Sequence, residues 1–124
     1  MGLEFKGDRP IFMQLAQSIE DEILSGAFGE ETQIPSITEY SVAYKINPAT
    51  ALKGINLLVD RGLVYKKRGI GMFVSAGARE QLLKERRNAF FEQSILPVVL
   101  DAKKLDMSLE ELQKMIRSGF ENGN

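Results

Sequence analysis

Apolar positions fall into blocks with different periods, and the blocks predict the elements. Ile11, Leu15, Ile19 and Ile23 recur every four residues with Phe12, Ala16 and Leu24 beside them. That spacing puts them on one face of an amphipathic helix. Pro10 suits the first turn of this helix, and Ser25-Gly26 ends it with Gly26 as a left-handed cap. Residues 27–34 read as a loop. A second, short helix opens at Ser36, because Ser36-Ile37-Thr38-Glu39 fits a capping box and Pro35 disfavours helix at Ile34. It ends near Tyr44-Lys45. Asn47 is a strong N-cap with Pro48 at the first helical position, so a third helix is expected from Pro48 to about Arg61. Ala51, Ile55 and Leu58 form its buried stripe, flanked by Leu52 and Val59, and Gly62 stops it.

The period then shifts. Leu63 to Tyr65 and Met72 to Val74 read as two short strands, joined by the basic, glycine-bearing tip Lys66-Lys67-Arg68-Gly69-Ile70-Gly71. Beyond Ser75-Ala76-Gly77 the apolar steps of three and four return across 78–105, with Pro97 set to kink or break that helix. Ser108-Leu109-Glu110-Glu111 is a second capping box. Leu109, Leu112, Met115 and Ile116 give a last helix its apolar face, which Phe120 extends. The fold class that follows is mainly α with a small β-hairpin. A winged helix-turn-helix domain over residues 1–76 precedes a two-helix segment over 77–124.

Composition removes several kinds of chemistry. The 124 residues contain no histidine and no cysteine. Disulfides, thiolate catalysis, His or Cys metal sites and a histidine-based triad are therefore excluded. No paired carboxylates stand on a loop near a glycine-rich site, so an enzyme is not expected, nor is a cofactor. The longest apolar run, Ile95 to Leu100, is interrupted by Pro97, so no membrane span is expected. Met1 to Pro10 is charged and lacks a leader's apolar core, which makes the cytoplasm the expected compartment.

Net charge is −1, but its distribution is uneven. Residues 32–75 carry Lys45, Lys53, Arg61, Lys66, Lys67 and Arg68 against Glu39 and Asp60, a balance of +4. In a helix-turn-helix the second helix enters the major groove with its N-terminal residues on the base edges. Those residues here are Asn47, Ala49, Thr50 and Lys53. Asn47 and Thr50 offer hydrogen bonds, Ala49 a small apolar contact and Lys53 a phosphate or guanine contact. Ser36 and Thr38 stand at a helix N-terminus, where free N–H groups suit phosphate. Ser36 and Asn47 also serve as caps with no DNA present; their combination with the basic hairpin is what points to DNA. At the wing, Lys66, Lys67 and Arg68 supply charge, while Gly69 and Gly71 permit close approach to a backbone or minor groove.

The C-terminal segment holds more apolar residues than one helix needs. Phe90, Phe91, Ile95, Val98 and Val99 form a dense patch read as a two-fold dimer interface, although packing against the last helix remains an alternative.

These residues resemble a known family. Pro10-Ile11-Phe12-x-Gln14-Leu15, Ile34-Pro35-Ser36, Asn47-Pro48-x-Thr50, Asp60-Arg61-Gly62-Leu63-Val64 and Lys67-Arg68-Gly69-Ile70-Gly71-Met72-Phe73-Val74 look like the GntR-type bacterial repressors. The short two-helix C-terminus is similar to the YtrA-like branch. The resemblance implies a homodimeric winged-helix repressor binding a double-stranded DNA operator, often near a transporter operon. Many members carry arginine where Thr38, Pro48 and Leu52 stand here. A dimer would meet half-sites ~34 Å apart or a multiple of that. Two alternatives stay open: a winged helix used for protein–protein contact, and a sensor with a small-molecule effector between its subunits.

Overall fold

The computed structural model describes residues 7–123. The first six residues of the N-terminal stretch, and of the segment read as the first domain, lie outside that range. The described chain runs α1 (Ile11–Ser25), α2 (Ile37–Tyr44), α3 (Pro48–Asp60), β1 (Val64–Lys67), β2 (Gly71–Val74), α4 (Ala78–Phe90), a π-helical turn (Phe91–Ile95), α5 (Leu96–Lys104) and α6 (Leu109–Asn122). No helix among these residues is long and apolar enough to cross a membrane.

The chain divides into two compact units, one running to Lys84 and the other from Glu85 onward. The core of the first is a single apolar cluster. Leu15, Ala16, Ile19 and Ile23 of α1 meet Ala51, Ile55 and Leu58 of α3, joined by Tyr40, Leu63, Val64 and Val74. The helix α4 begins in this unit, since Ala78 and Leu82 are buried in the same cluster. Two side-chain bonds fasten its first turns: Arg79 Nε donates to the Leu24 carbonyl at 2.9 Å, and Gln81 Nε2 to the Arg61 carbonyl at 3.0 Å. The division falls within α4.

Local signals set the helix ends. Pro10 is the N-cap of α1, one place outside the helix, and Gly26 caps its other end with φ +88°. At α2 the Ser36 hydroxyl accepts from the Glu39 amide at 3.0 Å, and Glu39 Oε1 accepts from the Ser36 amide at 3.0 Å. Such a cap is worth about 1 kcal/mol. Asn47 Oδ1 accepts from the Ala49 amide at 2.8 Å and opens α3.

The helix α3 lies close against α1 because Gly54 has no side chain. A Cβ there would stand 2.8 Å from the Phe12 carbonyl oxygen and 3.3 Å from a Leu15 methyl. Tyr40 fills the base of the core, fully buried and stacked on Tyr44 with ring centroids 6.1 Å apart. Its hydroxyl has no hydrogen-bond partner among the described residues. Burial pushes its ionisation well above the ordinary tyrosine range, and the nearby Glu22 carboxylate adds to the shift.

One stretch differs from the sequence reading. Residues 31–34, expected as loop, run along β2 as a short antiparallel partner. Gln33 bridges Phe73, the Glu31 amide donates to the Val74 carbonyl at 2.8 Å, and the Ile34 amide donates to the Met72 carbonyl at 2.9 Å. Four residues with one buried side chain, Ile34, carry too little alternation to announce a strand.

In the second unit the break at Pro97 takes the form of a widened turn. The Leu96 amide donates to the Phe91 carbonyl five residues back. A proline ring would otherwise press on the carbonyl four residues before it, and the extra residue per turn relieves that contact. At α6 Ser108 and Glu111 form the second capping box, with bonds of 3.0 and 3.1 Å. Its apolar side is uncovered: Leu109, Met115, Ile116 and Phe120 are all exposed.

Two substitutions test this packing. Gly54→Ala should lower unfolding stability in urea by about 1–3 kcal/mol, the usual range for overpacking a close contact. Tyr40→Phe should match or exceed the parent at neutral pH, because it removes a buried polar atom that makes no bond. The parent should also lose stability as pH rises past 10, the ordinary tyrosine value. There the unfolded chain releases the Tyr40 proton while the folded one retains it, and Tyr40→Phe should lose less.

Candidate nucleic-acid interface

The turn between α2 and α3 is held by its own bonds. Lys45 adopts the left-handed conformation at φ +55°. The Ser41 hydroxyl donates to the Ile46 carbonyl at 2.6 Å, and the Ile46 amide donates to the Ser41 carbonyl at 3.1 Å. This fixes where Asn47 starts α3. From there the helix has two sides. Ala51, Gly54, Ile55 and Leu58 are buried. Ala49, Lys53 and Asn56 are exposed on the opposite side, with Leu52 exposed at its edge. Leu52, read from sequence as flanking the buried stripe, is 43% exposed.

Each predicted contact residue can be placed. Asn47 and Ala49 are exposed at the start of α3, and Thr50 is half-buried one position on. The Asn47 oxygen is engaged in the cap. Lys53 turns back toward α1, its Nζ 4.2 Å from the centre of the Phe12 ring. Ser36 is half-buried with its hydroxyl in the capping box, while Thr38 is exposed on α2.

The hairpin pairs Val64 with Val74, Tyr65 with Phe73, Lys66 with Met72 and Lys67 with Gly71. Its base is in the core and its tip is exposed from Lys66 to Ile70. The Ile70 amide donates to the Lys67 carbonyl at 2.9 Å, closing a turn whose third residue, Gly69, has φ +77°. Lys67 lies over Phe73 with its Nζ 4.4 Å from the ring centre, and Phe73 stacks on Tyr65. The Tyr65 hydroxyl donates to Glu31 Oε2 at 2.7 Å, and that bond is the main cause of the raised Tyr65 pKa. Lys66 and Arg68 stand exposed beside this braced face.

At Gly71 the room left by the missing side chain is filled from within the protein. The Gln33 side chain lies against it and donates from Nε2 to the Ile70 carbonyl at 3.1 Å. The backbone at Gly71 also has φ +150°. Gln33 is thus a positioning residue for the wing that sequence reasoning missed. The 31–34 pairing that carries it there is non-local, and no local pattern shows it. Among the described residues no group of three or more His, Cys, Asp or Glu side chains converges as metal ligands would.

Comparison with known proteins agrees with this geometry. Residues 13–74 match the gntR family, described as bacterial regulatory proteins. A solved structure described as a GntR-family transcriptional regulator of Bacteroides thetaiotaomicron is 32% identical. It superposes with a TM-score of 0.73 over 92% of this chain and 99% of that one. The HTH-type transcriptional repressor YtrA of Bacillus subtilis is 26% identical over 90% of this chain and 85% of its own length. The DNA-binding domain of AraR, solved in complex with an operator, is 28% identical. It covers 58% of this chain and 93% of that domain, with a TM-score of 0.55. The chain belongs to the gntR family of bacterial regulatory proteins, whose members are DNA-binding transcriptional regulators and not enzymes.

Gly71→Ala should displace Gln33 and loosen the wing. Amide exchange at Ile34 and Val74 should quicken, with α1 and α3 protection unchanged. Unaltered exchange at those two amides would show that Gln33 does not hold the hairpin.

Proposed function

From gntR-family membership we propose that this protein is a sequence-specific repressor, of the YtrA-like branch, that binds its operator as a homodimer. The observation that carries the reading is the pairing of two exposed elements in one unit. The start of α3 offers Asn47, Ala49 and Lys53, exposed, with Thr50 half-buried among them, and the hairpin tip offers Lys66, Lys67 and Arg68. In this reading α3 occupies the major groove. Ser36 and Thr38 meet the phosphate backbone from the start of α2, and the wing follows the strand next to the groove. Gly69 gives the tip its turn, and Gly71 lets Gln33 brace it.

The second unit supplies the dimer contact. Phe90, Phe91 and Val98 are exposed around the π-helical turn, with Ile95 and Val99 half-buried between them. Such a cluster costs free energy in water, roughly 25 cal/mol for each Å² of apolar surface left uncovered. A second copy of the chain removes that surface from water and gives a two-fold protein for a two-fold operator. The regulated operon would then be one adjacent to the gene, with transporter genes as first candidates.

Selection from a random duplex pool tests this. The expected outcome is an inverted repeat with half-sites ~34 Å apart or a multiple of it. Retention of no duplex would overturn the reading. Replacing Lys66, Lys67 and Arg68 by alanine should weaken binding to all duplexes and flatten the salt dependence by up to about 0.9 per lost phosphate contact. Phe91→Asp should shift the protein from dimer to monomer in sedimentation, and a monomeric parent would refute the interface.

A further inference from the structure

The outward side of α3 is unusual for a surface proposed to read bases. Its sequence, Pro48 to Asp60, contains no arginine, the side chain best shaped to grip guanine. Its one cation, Lys53, is drawn toward the Phe12 ring of α1. The nearest arginine, Arg61 at the helix C-cap, is paired with Glu20 of α1 at 2.6 Å. Apart from Lys53 and, at its far end, Asn56, what this side exposes is apolar. Leu52 is 43% exposed, at the edge of this side and outside the buried set Ala51, Gly54, Ile55 and Leu58, one turn beyond Ala49. Two apolar side chains, Ala49 and Leu52, therefore stand beside Lys53 and Asn56 on the part of the helix that the proposed function presents to the major groove.

An exposed apolar group on such a strip has one chemical partner in a major groove. The C5-methyl of thymine is the only apolar feature that base edges display there. We propose that Leu52 is a specificity-determining residue that packs on thymine methyl groups, so that this protein selects A·T pairs in the middle of each half-site by apolar contact. The inference rests on the repressor reading above and adds a residue and a base to it. Leu52 is outside the buried set of α3, so its replacement leaves Ala51, Gly54, Ile55 and Leu58 in place.

The methyl group can be removed from the DNA without touching the protein. Each thymine of the selected operator is replaced in turn by deoxyuridine, and binding of the full chain is followed by fluorescence anisotropy. At one or two positions per half-site the loss should be about fourfold, the worth of one buried methyl group. With Leu52→Ala the same thymine and uracil duplexes should bind equally. Leu52→Met, which keeps an apolar side chain, should restore the difference. A methyl effect that persists in Leu52→Ala, or no uracil effect at any position, overturns the proposal while leaving operator binding intact. Failure of the parent chain to bind any duplex overturns it together with the repressor reading.

Discussion

The close contact between α1 and α3 governs the rest of the first unit. Gly54 lets the two helix backbones approach, and Ala51, Ile55 and Leu58 then bury against Leu15, Ile19 and Ile23. Once that side of α3 is committed to the core, its outer side is determined by helical geometry alone. The same packing sets where the chain leaves α3. Leu63 and Val64 are drawn into the core at one end of the hairpin and Val74 at the other. The basic tip is thereby held out in solvent. Exposure of α3 and exposure of the wing are two consequences of one buried surface.

The wing is stiffer than a charged turn need be. Residues 31–34 extend its pairing, Gln33 fastens the Ile70 carbonyl, and Tyr65, Phe73 and Lys67 stack along one face. A charged loop free to move would lose conformational entropy on meeting a duplex. Here much of that ordering is already in place in the free protein. Lys53 and Lys67 each lie over an aromatic ring, while Lys66 and Arg68 stand exposed at the tip.

Much of this was legible in the chain because the signals are local. Ser36-Glu39, Asn47-Pro48, Gly26 and Ser108-Glu111 announce helix ends through bonds made within four residues, and all four stand as caps in the structure. The stripe Ala51, Ile55, Leu58 follows from helical period. What stayed hidden depends on distant partners. The pairing of 31–34 with β2, the role of Gly71 as a seat for Gln33, and the burial of Leu82 each involve residues far apart in sequence. Leu52 stands at the flank of that stripe and is 43% exposed. At the margin of a helix stripe, composition does not tell how far a leucine is covered. Pro97 announces a break, but a π-helical turn and a kink are not separable from sequence alone.

The central claim is that one side of α3 and the hairpin tip meet the same duplex. Amide chemical shifts followed during titration with operator DNA test it most directly. Shift changes concentrated at Asn47–Asn56 and Lys66–Gly71, saturating together at the same duplex concentration, are the expected result. Changes confined to residues after Lys84, or at only one of the two stretches, would contradict it.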